Sequence, residues 1–484
     1  MASTDGIVQF PGFVGGYNRE QSIQVDNEIT TNLYCVEVPR TPEQMIMTSL
    51  PGLTFDRAFS TPGAATRNNG LFPFEGAVYA VVGSNFYSNA SIQGTILSVD
   101  STIYWTYLPT QVVFTDGANI YAYTPTTGTF TTVSESFLHD IAPISAINGR
   151  VIVPEIGTNL VYVSAENDGT SYDQNTRFVF QAVPDTLMGS AVINGRLLLM
   201  GRIHTEVYEP VPTVGIPLQR DNNVTIQYGT AASGSIITAN DDNAQKFVAW
   251  LTQDDLGSSS FVASDSTQVW KISTRAIDIL MQQFARNMQI EDCYSNSKRI
   301  DDHLFLEWNF PSANYTLVYD ATSQSWSNRE MQNGDFFIGN SHAFANGLHY
   351  IGSRVDNSLY LMNADSQHYY SSAENSEAIH RQRISPILRS PAQTGATVDY
   401  FQIKFQTGLF PSDLNPKVWL QCSLDNKPFN NSRSVSMGQI GQYAAISNWY
   451  GLGNAHSFVF KMDIYDEVPC FIMGAAYKVT GALR

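Results

Sequence analysis

Two stretches of the sequence open with the same three residues and continue in the same way. NGRVIVPEIGTNLVYVSA covers residues 148–165, and NGRLLLMGRIHTEVYEP covers residues 194–210. In each, an Asn-Gly pair precedes an apolar run, and a second run that contains a tyrosine follows. Asn-Gly is a strong signal for a tight hairpin turn, and short runs rich in Val, Ile and Tyr are typical of strands. Both stretches therefore predict a turn followed by a pair of antiparallel strands.

Five further stretches repeat this pattern on either side. They are EGAVYAVVGSNFYS from Glu75, DGANIYAYTPTTGTFTTV from Asp116, LGSSSFVASDSTQVWKI from Leu256, DDHLFLEWNFPSANYTLVYDATSQSWSN from Asp301 and NGLHYIGSRVDNSLYLMNA from Asn346. The turn positions of the seven stretches are Gly76, Gly117, Gly149, Gly195, Gly257, Asp302 and Gly347. Their mean spacing is about 45 residues, which is the length of one four-stranded propeller blade.

The repeat predicts an all-β protein with a β-propeller of about six to eight blades over residues 70–370. One four-stranded sheet cannot bury both of its faces alone. A ring of sheets buries them against one another and leaves only short edges. Alternating strands and turns also occur in β-sandwiches, so a pair of sandwich domains is the alternative.

One segment inside the repeat has helical periodicity. In STRAIDILMQQFARNMQ (273–289), the residues that recur at helical spacing are Ile277, Leu280, Phe284 and Met288. This spacing predicts a helix near 274–289. Ser273 or Thr274 can cap its start, and Asp278 suits its first turn. We interpret it as a packing or inter-subunit helix rather than a cofactor-binding element.

The two ends of the chain depart from the repeat. Residues 1–69 carry turn residues and polar strands, and they predict an extended N-terminal arm that closes the propeller or reaches a neighbouring chain. Residues 371–397 are rich in Ser, Arg, Pro and Gln, which is typical of a linker. Residues 398–484 contain alternating segments such as VDYFQIKFQTGLF and predict a C-terminal β-sandwich-like domain.

The charge balance bears on possible partners. Charged residues make up 15 % of the chain, and the formal net charge is −17. Tight binding of a nucleic-acid backbone needs a Lys/Arg footprint, so this balance argues against it. An acidic wall would instead let a duplex pass without sticking. Few charges suit a surface covered by neighbouring chains, although an ordinary secreted or viral β protein has the same composition.

The cysteines and the apolar runs bear on the compartment. Cys35, Cys293, Cys422 and Cys470 lie far apart without metal-ligand spacing, so we expect reduced, buried thiols and no zinc site. The sequence begins without a basic, apolar leader, and no apolar run approaches the length of a bilayer span. These features predict a chain made in a cytoplasm and not inserted into a membrane.

Three pairs of neighbouring aspartates are the candidates for acid–base chemistry. They are Asp241-Asp242, Asp254-Asp255 and Asp301-Asp302. A glycosidase needs two carboxylates that face each other across a sugar. Each pair stands where a turn is expected, however, and Asp is a common turn residue, so we expect turns. Calcium binding is the remaining alternative, although no EF-hand loop is present.

Other signatures of chemistry are missing from the sequence. His342 and His349 are the notable histidines, but there is no HExxH, no GxSxG elbow and no phosphate-binding loop. We therefore predict no catalytic, cofactor-binding or metal-binding residue and no cofactor. The abundant aromatic residues are expected to wedge between blades, and a few could stack on sugars or on a partner's loops. They include Tyr104, Trp105, Tyr107, Tyr121, Tyr123, Trp270, Trp308, Tyr319 and Trp326.

Several segments together resemble the packaged-DNA stabilisation family of short-tailed phages, also called tail hub or nozzle proteins. The segments are SLPGLTFD from Ser49, AVYAVVGSNFYS from Ala77, INGRLLLMGRIHTEVYEPV from Ile193, STRAIDILM from Ser273 and NWYGLGNAHSFVFKM from Asn448. The resemblance covers most of the chain. In the last segment, Ala455 and His456 stand where the family often carries arginines, which puts a basic contact there in doubt.

The resemblance implies a structural role without catalysis. It implies a homohexameric ring below the portal and its adaptor, which extends the DNA channel, retains packaged DNA and guides its ejection. It further implies that the ring anchors tail fibres, spikes or a needle, in a virion tail assembled in the host bacterial cytoplasm. It does not identify the residues that line the DNA channel. The alternatives are a propeller-type polysaccharide hydrolase or lyase and a carbohydrate-binding tail module.

Overall fold

The computed structural model describes most of the chain. The described residues are 6–20, 22, 25–39, 44–59, 67–180, 182–212, 215–241, 243–254, 256–370, 375–389, 395–406, 415–443 and 445–480. Within them the chain forms 44 strands, one α-helix and two short 3-10 turns. The predicted all-β class is confirmed.

Six strands precede the repeat. They are β1 Ile7–Gln9, β2 Asn18–Arg19, β3 Asn27–Thr31, β4 Leu33–Val38, β5 Gln44–Ser49 and β6 Gly52–Ala58.

The first four blades are separate four-stranded sheets. Blade one contains β7 Asn68–Phe74, β8 Ala77–Val82, β9 Asn85–Ser88 and β10 Ser91–Thr95. Blade two contains β11 Tyr104–Leu108, β12 Gln111–Thr115, β13 Ile120–Thr124 and β14 Thr129–Val133. Blade three contains β15 Ser145–Ile147, β16 Arg150–Pro154, β17 Leu160–Ala165 and β18 Asp168–Val179. Blade four contains β19 Leu187–Ile193, β20 Arg196–Gly201, β21 Thr205–Pro210 and β22 Leu218–Ile226.

Three more blades complete the ring, and the helix α1, Arg275–Arg286, connects blade five to blade six. Blade five contains β23 Ile237–Asn240, β24 Lys246–Gln253, β25 Ser259–Ser264 and β26 Val269–Lys271. Blade six contains β27 Tyr294–Ile300, β28 His303–Phe310, β29 Tyr315–Asp320 and β30 Ser325–Asn328. Blade seven contains β31 Gly339–Ala345, β32 Leu348–Ser353 and β33 Ser358–Asn363, with β6 as its fourth strand. The 3-10 turns are Ser233–Ser235 and Pro311–Ala313.

Eleven strands follow the ring. They are β34 His368–Tyr370, β35 Ser376–Ala378, β36 Arg381–Ile384, β37 Leu388–Arg389, β38 Ala396–Phe405, β39 Lys417–Leu424, β40 Arg433–Ser436, β41 Ile446–Tyr450, β42 Asn454–Ala455, β43 Ser457–Ile464 and β44 Phe471–Thr480.

The blades pack as the period of a strand dictates. In β8, Val78 and Ala80 pack against blade seven, whereas Tyr79 and Val81 pack against blade two. Successive side chains of a strand point to opposite faces of its sheet, so each sheet supplies an apolar layer to both of its neighbours. Seven blades lie within the predicted range of six to eight, and the predicted propeller is confirmed.

Turn chemistry explains why the repeat could be recognised in the sequence and why its turn residues do not all occupy the same hairpin. The hairpins at Asn148-Gly149 and Asn194-Gly195 have positive φ at both residues, as does the Asp301-Asp302 pair. This is the type I′ geometry that Asn, Asp and Gly adopt most readily. Gly117 and Gly257, by contrast, lie between the second and third strands of their blades rather than between the first and second. Each of these two glycines is followed by two strands, as the pattern predicts, but they occupy a different hairpin because every hairpin of a blade favours the same turn residues.

The N-terminal strands take part in both halves of the molecule. The strand β6 pairs antiparallel with β33, so the beginning of the chain supplies the outer strand of the last blade and closes the ring. The strands β4 and β5 join β44 in a seven-stranded sheet, where β1 also pairs with β44. The strand β3 pairs with both β30 and β36, so blade six continues into an eleven-stranded sheet.

The second half of the molecule is a sandwich of these two extended sheets. Its core contains Phe401 from β38 and Phe460 from β43, whose rings stack with centroids 4.1 Å apart. Phe10 and Phe13, which follow β1, pack against Phe401. The predicted β-sandwich is confirmed, and N-terminal residues contribute to its core.

The helix and the cysteines agree with their predictions. Thr274 caps the helix by accepting a hydrogen bond from the Ile277 amide, and Asp278 lies in its first turn. The face that contains Ile277 and Phe284 is buried against blades five and six, whereas Met288 lies beyond the helix end and is exposed. The four cysteines are buried and unpaired. None of the helices in the described residues has the length and apolarity needed to cross a membrane.

Candidate functional site

The seven inner strands, β7, β11, β15, β19, β23, β27 and β31, surround a central channel. The channel holds a cavity of about 830 Å³. At one end, the loop mouth, the inner strands begin; at the other end, the hairpin mouth, each turns into the second strand of its blade. Among the described residues that line the cavity, Lys246 is charged and His342 is titratable, and none is a carboxylate.

This channel is too narrow for a double helix. The inner strands of blades two and six contain five and seven residues, which at about 3.3 Å per residue gives a channel roughly 20 Å long. A cavity of about 830 Å³, which is the space open to the centres of water-sized spheres, gives over that length a mean width of roughly 10 Å between the walls. The major groove of B-DNA alone is about 12 Å wide. A duplex therefore cannot thread the propeller of one chain.

The predicted acidic wall does not lie in this channel. The chain has 44 carboxylates, but none is among the described lining residues. Acid that repels a passing duplex would have to come from the outer surface of the molecule.

Most of the predicted aromatic wedges do lie between blades. Phe261 of blade five packs against Trp308 and Trp326 of blade six, with ring centroids 4.4 and 5.2 Å apart. Tyr121 and Tyr123 of blade two belong to the apolar layer shared with blade one, and Tyr319 lies in the layer that contains Trp308. Trp270, on the outer strand of blade five, is partly exposed instead.

Three aromatic residues of blade two line the channel. They are Tyr104, Trp105 and Tyr107 on β11. Trp105 stacks on Phe72 of blade one, whereas Tyr107 has 58 % of its surface exposed at the hairpin mouth. The sequence showed this run of aromatic residues but not that it borders the channel. An alternating strand has the same sequence pattern whether it is the inner or an outer strand of its blade.

The hairpin mouth forms a second cavity of about 540 Å³ that is continuous with the first. The two cavities share Val192, Thr238, Lys246, Ser297 and His342. The charged and aromatic residues that line the hairpin mouth are Lys246, Lys298, Arg299, His342, Phe344 and His349. The predicted histidines are therefore brought together, and they lie beside three cationic side chains.

Behind the hairpin mouth lies a buried ionic triad. Glu307 contacts both Lys298 and Arg329, and all three side chains are almost fully buried. Burial opposes ionisation of Glu307, but the two cations outweigh it and hold the pKa of Glu307 below its usual value. Burial lowers the pKa of Lys298 to about 8, although Glu307 opposes this shift.

The two histidines form a hydrogen-bonded pair of neutral rings. His342 Nε2 lies 3.0 Å from His349 Nδ1. Burial, followed by the charges of Lys298 and His349, lowers the pKa of His342 to about 3. The pKa of His349 is also lowered by burial and by Lys298. At neutral pH the pair therefore adds no charge to the hairpin mouth.

The aspartate pairs occupy turns as predicted. Asp241 and Asp254 each accept backbone hydrogen bonds from residues two and four positions ahead, which is a turn-stabilising pattern. Asp301 and Asp302 form the β27–β28 turn, where Asp302 is fully exposed. Asp242 and Asp255 lie outside the described residues. Within the described residues, no group of three or more His, Cys, Asp or Glu side chains is arranged to hold a metal ion.

Sequence reasoning missed a set of buried cations where the propeller meets the sandwich. They are Arg329, His380, Arg381 and Arg383. Arg383 donates hydrogen bonds to the carbonyls of Gly12, Phe13 and Gly16. His380 bridges Glu330 at the end of blade six and Asp463 in the sandwich.

The signal for this set was the segment HRQRI, residues 380–384, in which charged residues alternate within a predicted linker. Each side chain finds partners far away in the sequence, so the pattern alone does not give its role. Together these contacts join the two halves of the molecule through ordered, buried hydrogen bonds rather than through a loose linker.

Comparison with known protein families covers both halves of the molecule. Residues 8–367 match the family model described as bacteriophage P22 Gp10, beta-propeller. Residues 380–480 match the model described as bacteriophage P22 Gp10, beta-sandwich. No curated protein matches the chain.

Among solved structures the similarities are distant. U3-55K is 10 % identical with a TM-score of 0.40, over 64 % of this chain and 99 % of that one. The N-terminal domain of Nup159 is 10 % identical with a TM-score of 0.39, over 69 % and 98 %. The extracellular domain of the two-component system BT4673 from B. thetaiotaomicron is 10 % identical with a TM-score of 0.42, over 72 % and 43 %. None of them identifies a function or a partner for this chain.

Proposed function

Because this chain belongs to the bacteriophage P22 Gp10 family of structural tail-nozzle proteins, we propose that it forms a homohexameric ring that extends the DNA channel below the portal and its adaptor. The ring retains packaged DNA and guides its ejection. The observation that carries the proposal is the match of both halves of the chain, in order, to one structural phage family.

The width of the propeller channel supports a passage between copies. A duplex does not fit through a channel roughly 10 Å wide, so a chain of this family conducts DNA only by surrounding it together with other copies. The formal charge of −17 per chain supports a passage whose wall repels phosphates and lets the duplex slide. DNA is then retained by closure of the passage rather than by affinity.

The buried contacts between the propeller and the sandwich support a role in transmitting force. Blade six and the sandwich share one eleven-stranded sheet, and buried arginines fix the N-terminal segment to it. A subunit built in this way transmits force between its two halves without a hinge. Such rigidity suits a tail part that holds the adaptor on one side and fibres, spikes or a needle on the other, in the virion tail after assembly in the host cytoplasm.

We further propose that the chain has no catalytic activity. The described aspartates of the three candidate pairs accept turn hydrogen bonds or form a hairpin turn, and none lines a cavity with a second carboxylate. Degradation of a surface polysaccharide by the purified chain, abolished in D301N or D302N, would contradict this and favour the hydrolase alternative.

The proposed ring is tested by measuring the mass of the assembly and by imaging it. The full chain, alone and with the tail adaptor, is measured by analytical ultracentrifugation and then imaged by electron cryomicroscopy with a short duplex. We expect a six-membered ring whose axial lumen lies between copies, with any DNA density on the ring axis. A chain that stays monomeric under all conditions contradicts the proposal, and so does DNA density inside a propeller.

A further inference from the structure

The hairpin mouth exposes two large aromatic rings on the two blades that flank blade one. Tyr107 of blade two has 58 % of its surface exposed, and Phe344 of blade seven has 52 %. Phe344 packs on the ring of His349 with centroids 4.7 Å apart, and Tyr107 packs on Phe74 with centroids 5.9 Å apart. Both rings are thus supported from behind while one side of each remains accessible.

A lysine that has no carboxylate of the described residues within 4 Å lies at the same mouth. Lys246, at the start of β24 in blade five, lines both cavities, and none of the described carboxylates lies within 4 Å of its ammonium group. This lysine stands out in a chain with a net charge of −17. Its side chain is available for an oxyanion that enters the mouth.

The other charges near the mouth are either engaged or lie at its rim. Lys298 is paired with Glu307, which faces it from β28, and Arg299 lies 3.9 Å from Asp302 at the tip of the β27–β28 turn. Asp301, in the same turn, interacts electrostatically with His349. None of these carboxylates lines either cavity, so the described lining presents cations and neutral groups only.

The size of the site selects a small ligand. The two cavities measure about 540 and 830 Å³, within the range of roughly 300–1,000 Å³ that is typical of small-molecule sites.

We propose that the hairpin mouth binds a small ligand that combines a ring with an oxyanion, with the ring against Tyr107 or Phe344 and the oxyanion on Lys246. Aromatic side chains stack on flat rings, and a lysine is a point donor for carboxylate or phosphate. Two sources have this chemistry: an acidic sugar and a nucleoside monophosphate. The site is independent of the proposed nozzle role, since it lies in one chain.

The test is isothermal titration calorimetry of the full chain with glucuronate, deoxyadenosine monophosphate, glucose and inorganic phosphate. We expect saturable binding of glucuronate or of the nucleotide, and the tighter of the two identifies the source. Equal binding of glucose would overturn the role of the oxyanion, and equal binding of phosphate would overturn the role of the rings. Failure of both ring-bearing anions to bind at millimolar concentration would overturn the proposal.

Variants at exposed positions locate the site without perturbing the core. K246Q should weaken binding about tenfold, the size expected for one charge-assisted hydrogen bond. Y107A and F344A together should abolish measurable binding. The matched controls are K417Q and Y443A, at exposed residues of the sandwich. If the affinity falls no more in the hairpin-mouth variants than in these controls, the ligand binds elsewhere.

Discussion

The Nε2 atom of His380 lies 3.0 Å from a carboxylate oxygen of Asp463, and its Nδ1 atom lies 3.1 Å from Glu330. Glu330 follows the last strand of blade six, whereas Asp463 lies on β43 of the sandwich. One imidazole thus joins the two halves of the molecule through two carboxylates. Burial opposes its protonation, but the two hydrogen bonds prevail and raise the pKa of His380 to about 8.

This bridge predicts a loss of stability at alkaline pH. The folded-state pKa of about 8 exceeds the ordinary value of 6.5. The bridge therefore stabilises the fold fully below about pH 6.5, and this stabilisation of about 2 kcal/mol is lost as the pH rises through 8. Urea unfolding between pH 6 and 9.5 should show the fall, and H380Q should lack it. H456Q, at an exposed histidine, should keep the pH dependence of the parent chain.

The buried triad predicts a large effect of E307Q. The substitution leaves Lys298 and Arg329 without a counter-charge at a site with almost no exposure. Removal of one partner from a buried ion pair typically costs about 3–5 kcal/mol. Chemical denaturation should show this loss, whereas E166Q, whose carboxylate is exposed, should change stability by less than about 0.5 kcal/mol. Equal stability of the two variants would mean that the triad is not intact in solution.

The contacts of Arg383 predict local release of the N-terminal segment. In R383M the carbonyls of Gly12, Phe13 and Gly16 lose their donor, and Glu28 loses its cation. Hydrogen exchange measured by mass spectrometry should speed up over residues 7–31 while the blades remain protected. R275M, at an exposed arginine of the helix, should leave the exchange pattern unchanged. Uniform acceleration over the whole chain would argue against a local anchor.

Ring closure by β6 predicts a strict requirement for glycine at position 52. A side chain on Gly52 would meet the carbonyl oxygens of Ser366 and His368 at 2.4 and 2.6 Å, so the backbone would have to move. We expect G52V to destabilise the chain by roughly 1–3 kcal/mol or more. It should also admit proteolysis near the β6–β33 pair. R57A, at the partly exposed far end of β6, is the control, and a similar Tm for both variants would count against this closure.

The thiols predict an unreactive native protein. Burial raises the pKa of Cys35 and of Cys470 to about 11, and that of Cys422 to about 12, so almost no thiolate is present at pH 8. A disulfide reagent such as DTNB should modify none of the four cysteines in the native chain and all four after denaturation in guanidinium. Rapid modification of one thiol in the native state would show that its surroundings open.

Local patterns were sufficient to predict the blades and the helix. Alternating strands, Asn-Gly turns and a Thr-capped apolar stripe are properties of a few neighbouring residues, so they can be read along the chain. The sequence predicted a range of six to eight blades rather than an exact number. Gly117 and Gly257 obey the same turn rules as Gly149 but lie between the second and third strands of their blades, so turn glycines alone do not mark equivalent positions.

Long-range pairings could not be predicted in the same way. Nothing in the segment from Gly52 to Ala58 distinguishes a strand that completes the last blade from one that begins the first. The role of Arg383 depends on backbone carbonyls more than 300 positions away in the sequence, such as that of Phe13. The role of Arg381 depends on the carbonyl of Asp466, just after the end of β43. The hairpin mouth could not be predicted from the sequence either. Tyr107, Lys246 and Phe344 belong to blades two, five and seven, which surround one channel only after the ring has closed.

The pairing of β1 with β44, in which Ile7 lies opposite Lys478, has a consequence for synthesis. Residues 7–9 leave the ribosome long before their hydrogen-bonding neighbour, which emerges about 470 residues later. At about 5–20 residues per second, the early strands wait for roughly half a minute or more with an unsatisfied edge. A chain that ends before β44 lacks the strand with which β1 pairs, so we expect that edge to stay accessible to proteases.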